Sequence, residues 1–148
     1  MKAQPGTYLL VLQNLANRSL VIGRWGPLQI QPGYYLYVGS AFGPGGVRAR
    51  VLRHCQQHKS RPHWHIDHLR VATVPVAVWC SYTPKRLEHD WARGLAKRTE
   101  MRSVNGFGCT DCHCPTHLFF TAEEPALSAF AGSLDGDIGV YPITRVAG

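Results

Sequence analysis

The sequence predicts one compact α/β domain of the α+β kind, with short strands first and helices among the later strands. Three observations predict it. The 148 residues are 45% hydrophobic, which is enough to bury one core without disulfide bonds. The first third of the chain has the pattern of a strand meander, and a glycine-rich loop then leads into helical periodicity. No repeat or linker interrupts the chain, so we expect a single domain over residues 1–148.

The strands of the first third are predicted from apolar, aromatic and β-branched runs that are separated by turn residues. Breakers at 25–27 and 32–33 contain glycine and proline, and they divide the meander into short pieces. The predicted strands are 7–13, 20–24, 28–31 and 34–38.

The first helix is predicted at 47–58. Four glycines and a proline in the segment 39–46 turn the chain from strand to helix. Apolar residues then recur every fourth position, at Val47, Val51 and Cys55. This spacing predicts one buried stripe. Arg50 and His54 are one turn apart on a flank of this helix, so their side chains are neighbours.

A second helix is predicted from Thr83, a preferred N-cap residue, and Pro84, which fits the first helical position. Its buried stripe is Leu87, Trp91 and Leu95. The segment 63–70 fits a helix or an extended chain. β-branched and aromatic residues predict a strand at 71–82, and Pro75 favours an edge position for it. The other predicted elements are strands at 117–121 and 138–143 and a short helix at 125–131.

The charge of the chain is concentrated in its middle. The formal charge is +7, but residues 48–102 alone hold twelve basic and four acidic side chains, a net +8. A basic face of this kind attracts a phosphate backbone, because each neutralised phosphate releases condensed counterions. A solvated surface without a polyanionic partner is the alternative.

Two further patterns indicate the cellular compartment in which the protein is expected. No apolar run approaches the roughly 18 residues of a spanning helix, and the first residues lack an apolar signal segment. We therefore expect a cytoplasmic protein with no membrane partner. The five cysteines are an odd number, and three of them crowd into six residues. This spacing suits a metal or a reduced thiol cluster better than a disulfide framework.

Two tripeptides carry the most informative motif: Gly6-Thr7-Tyr8 and Tyr37-Val38-Gly39, followed by Arg50 and later Glu88. They resemble the GIY-YIG nuclease module, whose two tripeptides lie on adjacent strands. Over roughly residues 5–121 the chain is more similar still to an uncharacterised GIY-YIG-like family, the domain of unknown function 123, sometimes joined to a DNA-repair endonuclease. The stretches that carry this similarity are 37–41, 53–54, 63–67 and 107–114.

The resemblance implies a small central, mainly antiparallel sheet flanked by helices. Tyr8 and Tyr37 are 29 positions apart, whereas a short hairpin usually separates the two motifs. The hairpin at 20–31 would therefore be an insertion between the two motif strands. Thr7 replaces the usual aliphatic residue, and the family's closing asparagine has only Asn105 as a candidate.

The activity that the resemblance implies is a Mg²⁺- or Mn²⁺-dependent endonuclease acting on DNA, with RNA not excluded, in repair or processing. Tyr8 would be the general base, helped by Tyr37, and Arg50 would clamp the scissile phosphate. Arginine suits that role because its planar fork binds phosphate oxygens in a bidentate way. Glu88 would hold one Mg²⁺ together with water and phosphate. His54 would share the phosphate or relay a proton.

A cysteine-rich segment forms a second constellation: Cys109, Cys112, Cys114 and His117. Four soft ligands within nine residues can surround one tetrahedral Zn²⁺. The spacing is tight, and a loop of small buried thiols or a redox or nucleophilic cysteine explains it as well. The sequence therefore leaves zinc as one of three interpretations.

The segment around His65 and Asp67 forms a third constellation of candidate site residues. In an extended chain His63, His65 and Asp67 share one face and could ligate a metal. The favoured interpretation is that His65 and Asp67 hydrogen-bond each other behind the site and support the Arg50 helix, with Trp64 in the core.

The remaining basic residues of the middle region are predicted to guide phosphates: Arg48, Arg53, Lys59 and Arg61. Several aromatic residues either stack on unpaired bases or pack in the core: Trp25, Tyr34, Tyr35 and Phe42. Two alternatives to a nuclease stay open. One is an inactive nucleic-acid-binding or adaptor module, and the other is a protein centred on zinc or thiol chemistry.

Overall fold

The computed structural model describes residues 1–56, 64–108, 116–130 and 132–143. Within these ranges the chain forms eight strands and three α-helices. The strands are β1 Gly6–Asn14, β2 Arg18–Ile22, β3 Gly26–Ile30, β4 Gly33–Ala41, β5 Val74–Ser81, β6 Arg102–Ser103, β7 Leu118–Thr121 and β8 Gly139–Pro142. The helices are α1 Gly46–Cys55, α2 His65–Leu69 and α3 Glu88–Ala96.

Six strands form one antiparallel sheet in the order β6-β7-β4-β1-β5-β8. The predicted α+β class with a mainly antiparallel sheet is confirmed. The two motif strands are neighbours, and Tyr8 lies directly opposite Gly39. β2 and β3 pair only with each other in a second sheet, so the inserted hairpin leaves the pairing of β1 with β4 intact.

Alternation along β1 divides the core into two layers, because successive side chains of a strand point to opposite faces. Tyr8 and Leu10 pack with α1 and α2 on one face. Leu9 and Val11 pack on the other face with α3, whose buried stripe includes Trp91. Burying one such leucine contributes about 1.5–3 kcal/mol. The helical stripes predicted for α1 and α3 face this core as expected.

The boundaries of two helices differ from the prediction. α1 ends at Cys55, and Gln56 already has an extended backbone. α3 begins at Glu88, because the Thr83 hydroxyl bonds the Ser81 hydroxyl instead of capping a helix. The N–H of Leu87 donates to the Thr7 hydroxyl of β1. The start of α3 is therefore stabilised by a strand that is distant in sequence.

β5 lies between β1 and β8, so the prediction of an edge strand is wrong. Pro75 is tolerated there because it lies at an irregularity, where the register of β5 with β1 shifts between Val11 and Leu12, and outside the segment 77–80 that pairs with β8. The two-residue strand β6 was not predicted. In the described ranges, no helix has the length and apolar character needed to span a bilayer.

Candidate active site

The two tyrosines of the tripeptides meet one histidine of α1. The hydroxyl of Tyr8 lies 2.7 Å from Nε2 of His54. The ring centroid of Tyr37 lies 6.5 Å from that of Tyr8 and 5.9 Å from that of His54. The pairing of β1 with β4 brings the tyrosines together, and α1, which follows the glycine-rich loop, places His54 beside them.

Each tripeptide needs its glycine for close packing. A Cβ at Gly39 would lie 2.4 Å from the Tyr8 hydroxyl, so the phenol occupies the space that any other side chain would fill. A Cβ at Gly6 would lie 2.2 Å from the backbone oxygen of Ser81 on β5. The two glycines therefore allow the Tyr8 ring to lie across β4 and allow β5 to approach β1.

The Tyr8 phenol is protonated at neutral pH. Tyr8 is 1% exposed, and this burial raises its pKa well above the ordinary 10.0, with the nearby Tyr37 acting in the same direction. The positive charge of Arg50 lowers this pKa and the negative charge of Glu88 raises it. Both charged groups are thus within electrostatic reach of the phenol.

Arg50 and Arg53 flank the indole of Trp64. Their guanidinium carbons lie 4.6 Å and 4.1 Å from its ring centroid. A cavity of about 200 Å³ opens beside the three side chains, and small residues of the glycine-rich loop complete its wall. Trp64, predicted in the core, packs against the core, but it is only half-buried, and it holds the two arginines in place.

The N-terminus of α1 does not bind a phosphate through its backbone. The N–H of Val47 donates to the carbonyl of Gln4, and the N–H of Arg48 donates to the carbonyl of Lys2. A free helix N-terminus commonly binds anions, but the first residues of this chain close the end of α1. A phosphate at this end of α1 would have to be bound by side chains.

Asp67 anchors α1 to α2. Its carboxylate accepts two hydrogen bonds of 3.2 Å from Arg53 and one of 3.0 Å from the backbone N–H of Trp64. Arg53, predicted as a phosphate guide, is therefore committed to an ion pair, although its side chain is 32% exposed. Asp67 supports the Arg50 helix as expected, but through Arg53 and not through a bond with His65.

His65 contacts a different part of the chain. Its Nδ1 accepts a hydrogen bond of 2.9 Å from the backbone N–H of Gly108, and its ring contacts both Trp25 and Phe107, which also contact each other. Burial, followed by the charge of His68, lowers the pKa of His65. His65 thus holds the backbone at Gly108.

Glu88 is the first residue of α3, and its carboxylate reaches the end of β4. Oε1 lies 3.1 Å from Nδ1 of His117, and the Ser40 hydroxyl is close enough to lower the pKa of the same carboxylate. Burial raises the pKa of Glu88, but the hydrogen bond and charge of His117, together with Ser40, outweigh burial and lower it. Glu88 is therefore ionised at neutral pH.

His117 occupies a place that the sequence did not indicate. Nδ1 faces two acceptors, Oε1 of Glu88 at 3.1 Å and the carbonyl of Val38 at 3.3 Å, so this nitrogen carries the proton.

The other proposed zinc ligands, Cys109, Cys112 and Cys114, lie outside the described residues, and a zinc site stays a prediction. Ser40 and the contact of His117 with Glu88 had no recognisable signal in the sequence.

The charged and aromatic groups approach β4 from its two faces. The tyrosines and His54 lie on the α1 face, whereas Ser40 and Glu88 lie on the α3 face, because Ser40 follows Gly39 and points the other way. Beyond Val38, whose N–H donates to the carbonyl of His117, no described strand pairs with the β7 edge of β4.

Of the other basic residues predicted to guide phosphates, Lys59 and Arg61 lie outside the described residues, and Arg48 is exposed on the first turn of α1.

The donor set fits a cation that keeps most of its water. In the described part of the chain, no three or more His, Cys, Asp or Glu side chains are arranged so that together they could hold a metal ion. Glu88 supplies one ionised carboxylate. Mg²⁺ is commonly bound through one or two carboxylates, with waters and substrate phosphates completing the octahedron, so Glu88 could hold this ion when substrate is present.

One comparison with known proteins is positive. The family model described as "Domain of unknown function DUF123" matches residues 7–135, a range that includes all residues of the site. No curated protein and no solved structure matches the chain.

Proposed function

The chain belongs to the DUF123 family, and from that premise and the geometry of its site we propose that it is a Mg²⁺-dependent endonuclease. It would hydrolyse phosphodiester bonds in DNA, in the cytoplasm and at structures formed in repair or processing; RNA is not excluded. The resemblance to GIY-YIG nucleases and the basic middle of the chain support the proposal. The observation that carries it is the 2.7 Å contact between the Tyr8 hydroxyl and Nε2 of His54, beside a second tyrosine.

The contact gives Tyr8 a route to act as a base while remaining neutral. Its raised pKa means that a phenolate does not accumulate at pH 7. In the tautomer whose Nε2 lacks a proton, His54 accepts the phenol proton as Tyr8 takes one from the attacking water. The water oxygen then bonds to phosphorus, the bond from phosphorus to the leaving oxygen breaks, and the leaving oxygen takes a proton from solvent water. General base catalysis of this kind contributes about 10²–10⁴-fold.

Arg50 is suited to hold the scissile phosphate. It carries no ion pair within the described residues, and its contact with Trp64 orients the guanidinium without neutralising it. Two parallel hydrogen bonds from such a group to phosphate oxygens are charge-assisted. They would stabilise the negative charge that increases on the phosphate in the transition state.

Glu88 would be the metal ligand, and His117 would support its carboxylate. Mg²⁺, when bound, supplies positive charge to the phosphate and the leaving oxygen. The protein's own part is to orient Glu88, through its contact with His117, and to keep it ionised, because His117 and Ser40 both lower its pKa.

The burial of Tyr8 favours a second candidate. A side chain that is 1% exposed meets water only if the site opens. A protein that keeps the nuclease scaffold and the basic face without turnover would bind nucleic acid or adapt a partner enzyme. Its affinity would fall as salt increases, but no cleavage would accompany binding.

The test is cleavage of a panel of labelled DNA and RNA structures in Mg²⁺. Wild-type chain is compared with Glu88→Gln and Arg50→Ala, and with Glu123→Gln, which changes an exposed glutamate elsewhere on the surface. We expect cleavage by the wild type and by Glu123→Gln, and its loss in the other two. Cleavage that persists in both site variants contradicts the assignment. Salt-sensitive binding without cleavage by the wild type supports the second candidate.

A further inference from the structure

A second arginine–aromatic pair lies beside Glu88. The guanidinium carbon of Arg86 lies 4.4 Å from the ring centroid of Phe42. Phe42 is half-buried in the loop after β4, and Arg86 is exposed in the segment before α3. This pair lies next to the site along both segments. Ser40 acts on the pKa of Glu88, and Phe42 and Arg86 are each two residues away in sequence from one of these two residues.

The backbone around Arg86 is held at both sides. The N–H of Leu87 donates to the hydroxyl of Thr7, and the N–H of Thr83 donates to the hydroxyl of Ser81. Arg86 therefore projects from a short, anchored segment, and its ring contact limits the remaining freedom of the side chain.

The charge of Arg86 is not neutralised. Five arginines of the described ranges contact aromatic rings: Arg50, Arg53, Arg86, Arg98 and Arg102. Three of them also donate to a side chain: Arg53 to Asp67, Arg98 to Glu100, and Arg102 to the side-chain amide oxygen of Gln31. Of the five, only Arg50 and Arg86 have neither an ion pair nor a side-chain hydrogen bond within the described ranges. Their N–H donors are thus oriented and available for an anion.

Arg50 and Arg86 both approach the segment that connects β4 to α1. Ala41 and Gly43, the chain neighbours of Phe42, line the cavity that Arg50 and Trp64 also line, whereas Phe42 itself contacts Arg86. The two arginines therefore approach adjacent residues of this segment. A phosphate backbone that follows the segment would approach both of them.

We propose that Arg86, held on Phe42, binds a second phosphate of the nucleic-acid backbone, adjacent to the scissile phosphate and on the Glu88 side. The site would then recognise a polynucleotide, which carries successive phosphates, more tightly than an isolated phosphodiester. The identity of the ligand rests on the proposed function, whereas the role of Arg86 in binding is independent of cleavage.

The test measures binding of a fluorescein-labelled DNA fork in EDTA, where no metal-dependent cleavage takes place. Arg86→Ala is compared with Arg18→Ala, which removes an exposed arginine of the β2–β3 hairpin. We expect Arg86→Ala to weaken binding about fivefold to tenfold near 0.1 M salt and to reduce the salt slope by about 1. Arg18→Ala should change neither. Phe42→Ala should weaken binding with little change in slope, because the charge remains.

Equal binding by Arg86→Ala and Arg18→Ala overturns this inference, as does a wild-type chain with no salt-sensitive binding. Cleavage separates it from the proposed function. If the wild type does not cleave but Arg86→Ala still lowers affinity and slope, only the nuclease proposal fails. In an active protein, Arg86→Ala should impair cleavage of DNA while leaving hydrolysis of bis(p-nitrophenyl) phosphate, which has one phosphate, unchanged. Equal impairment of both substrates contradicts a second-phosphate role.

Discussion

Nδ1 of His117 lies 3.1 Å from Oε1 of Glu88, and the carbonyl of Val38 lies 3.3 Å from the same nitrogen. Two acceptors fix the proton on Nδ1, so the imidazole donates to the carboxylate that we propose as the metal ligand. Hydrogen-bond partners of metal-binding carboxylates and histidines commonly matter nearly as much as the ligands.

His117→Ala should reduce cleavage about 10–100-fold and raise the Mg²⁺ concentration needed for half-maximal rate. His117→Asn should recover part of the loss, because an amide N–H can replace Nδ1–H. Metal titrations of the two variants check this. Unchanged Mg²⁺ dependence in His117→Ala would show that Glu88 does not need this hydrogen bond.

Tyr8→Phe keeps the ring but removes the hydroxyl that bonds His54. We expect cleavage to fall about 100-fold or more, while DNA binding in EDTA stays near that of the wild type. Tyr35→Phe is the matched control, because Tyr35 is also buried and its hydroxyl accepts a hydrogen bond from the backbone of Gln31. If both variants lose activity equally, the loss reflects packing and not proton transfer.

Gly39→Ala tests the position of the Tyr8 ring. Its methyl group would lie 2.4 Å from the Tyr8 hydroxyl, so the ring must shift away from His54. We expect a destabilisation of about 1–3 kcal/mol together with loss of cleavage, measured by urea unfolding and by the DNA assay. Gly132→Ala has open space around the new methyl group and should behave like the wild type. An active, stable Gly39→Ala protein would contradict the observed packing.

Asp67→Ala should be far more destabilising than Asp90→Ala. The Asp67 side chain is fully buried against Arg53, and its loss leaves a guanidinium and a backbone N–H without their acceptor. We expect about 1–3 kcal/mol, a range reduced for the partial exposure of Arg53. Asp90 forms exposed pairs with Lys85 and Arg93, worth about 0–1 kcal/mol. Urea unfolding of both variants checks the difference, and similar losses would be evidence against the anchor.

The lowered pKa of Glu88 predicts a specific pH dependence of stability. The folded protein binds this proton more weakly than the unfolded chain, whose value is near the ordinary 4.5. Glu88 therefore contributes stability that is fully present above 4.5 and is lost as the pH falls through the lower folded value. The stability difference between wild type and Glu88→Gln should shrink on going from pH 7 to pH 3. A difference that stays constant would contradict the lowered pKa.

Local patterns predicted most of the fold. The strands carrying Tyr8 and Tyr37, the inserted hairpin and the apolar stripes of α1 and α3 were recognised because burial repeats with the period of each element. The start of α3 was predicted four residues too early, with Thr83 instead of Leu87 as the N-cap residue. The N–H of Leu87 donates to the Thr7 hydroxyl, 80 residues earlier in the chain, and no local pattern reveals such a partner.

The motifs in the sequence were enough to predict the groups on the α1 side of the site. The resemblance to the GIY-YIG module implied that the two tripeptides lie on adjacent strands, and the periodicity after the glycine-rich loop predicted the helix that carries His54. The contacts of His117 with Glu88 and of Arg86 with Phe42 emerge only from the folded chain. Those contacts join segments that meet where β7 and α3 pack at the end of β4, and long-range packing leaves no periodic signal in the chain.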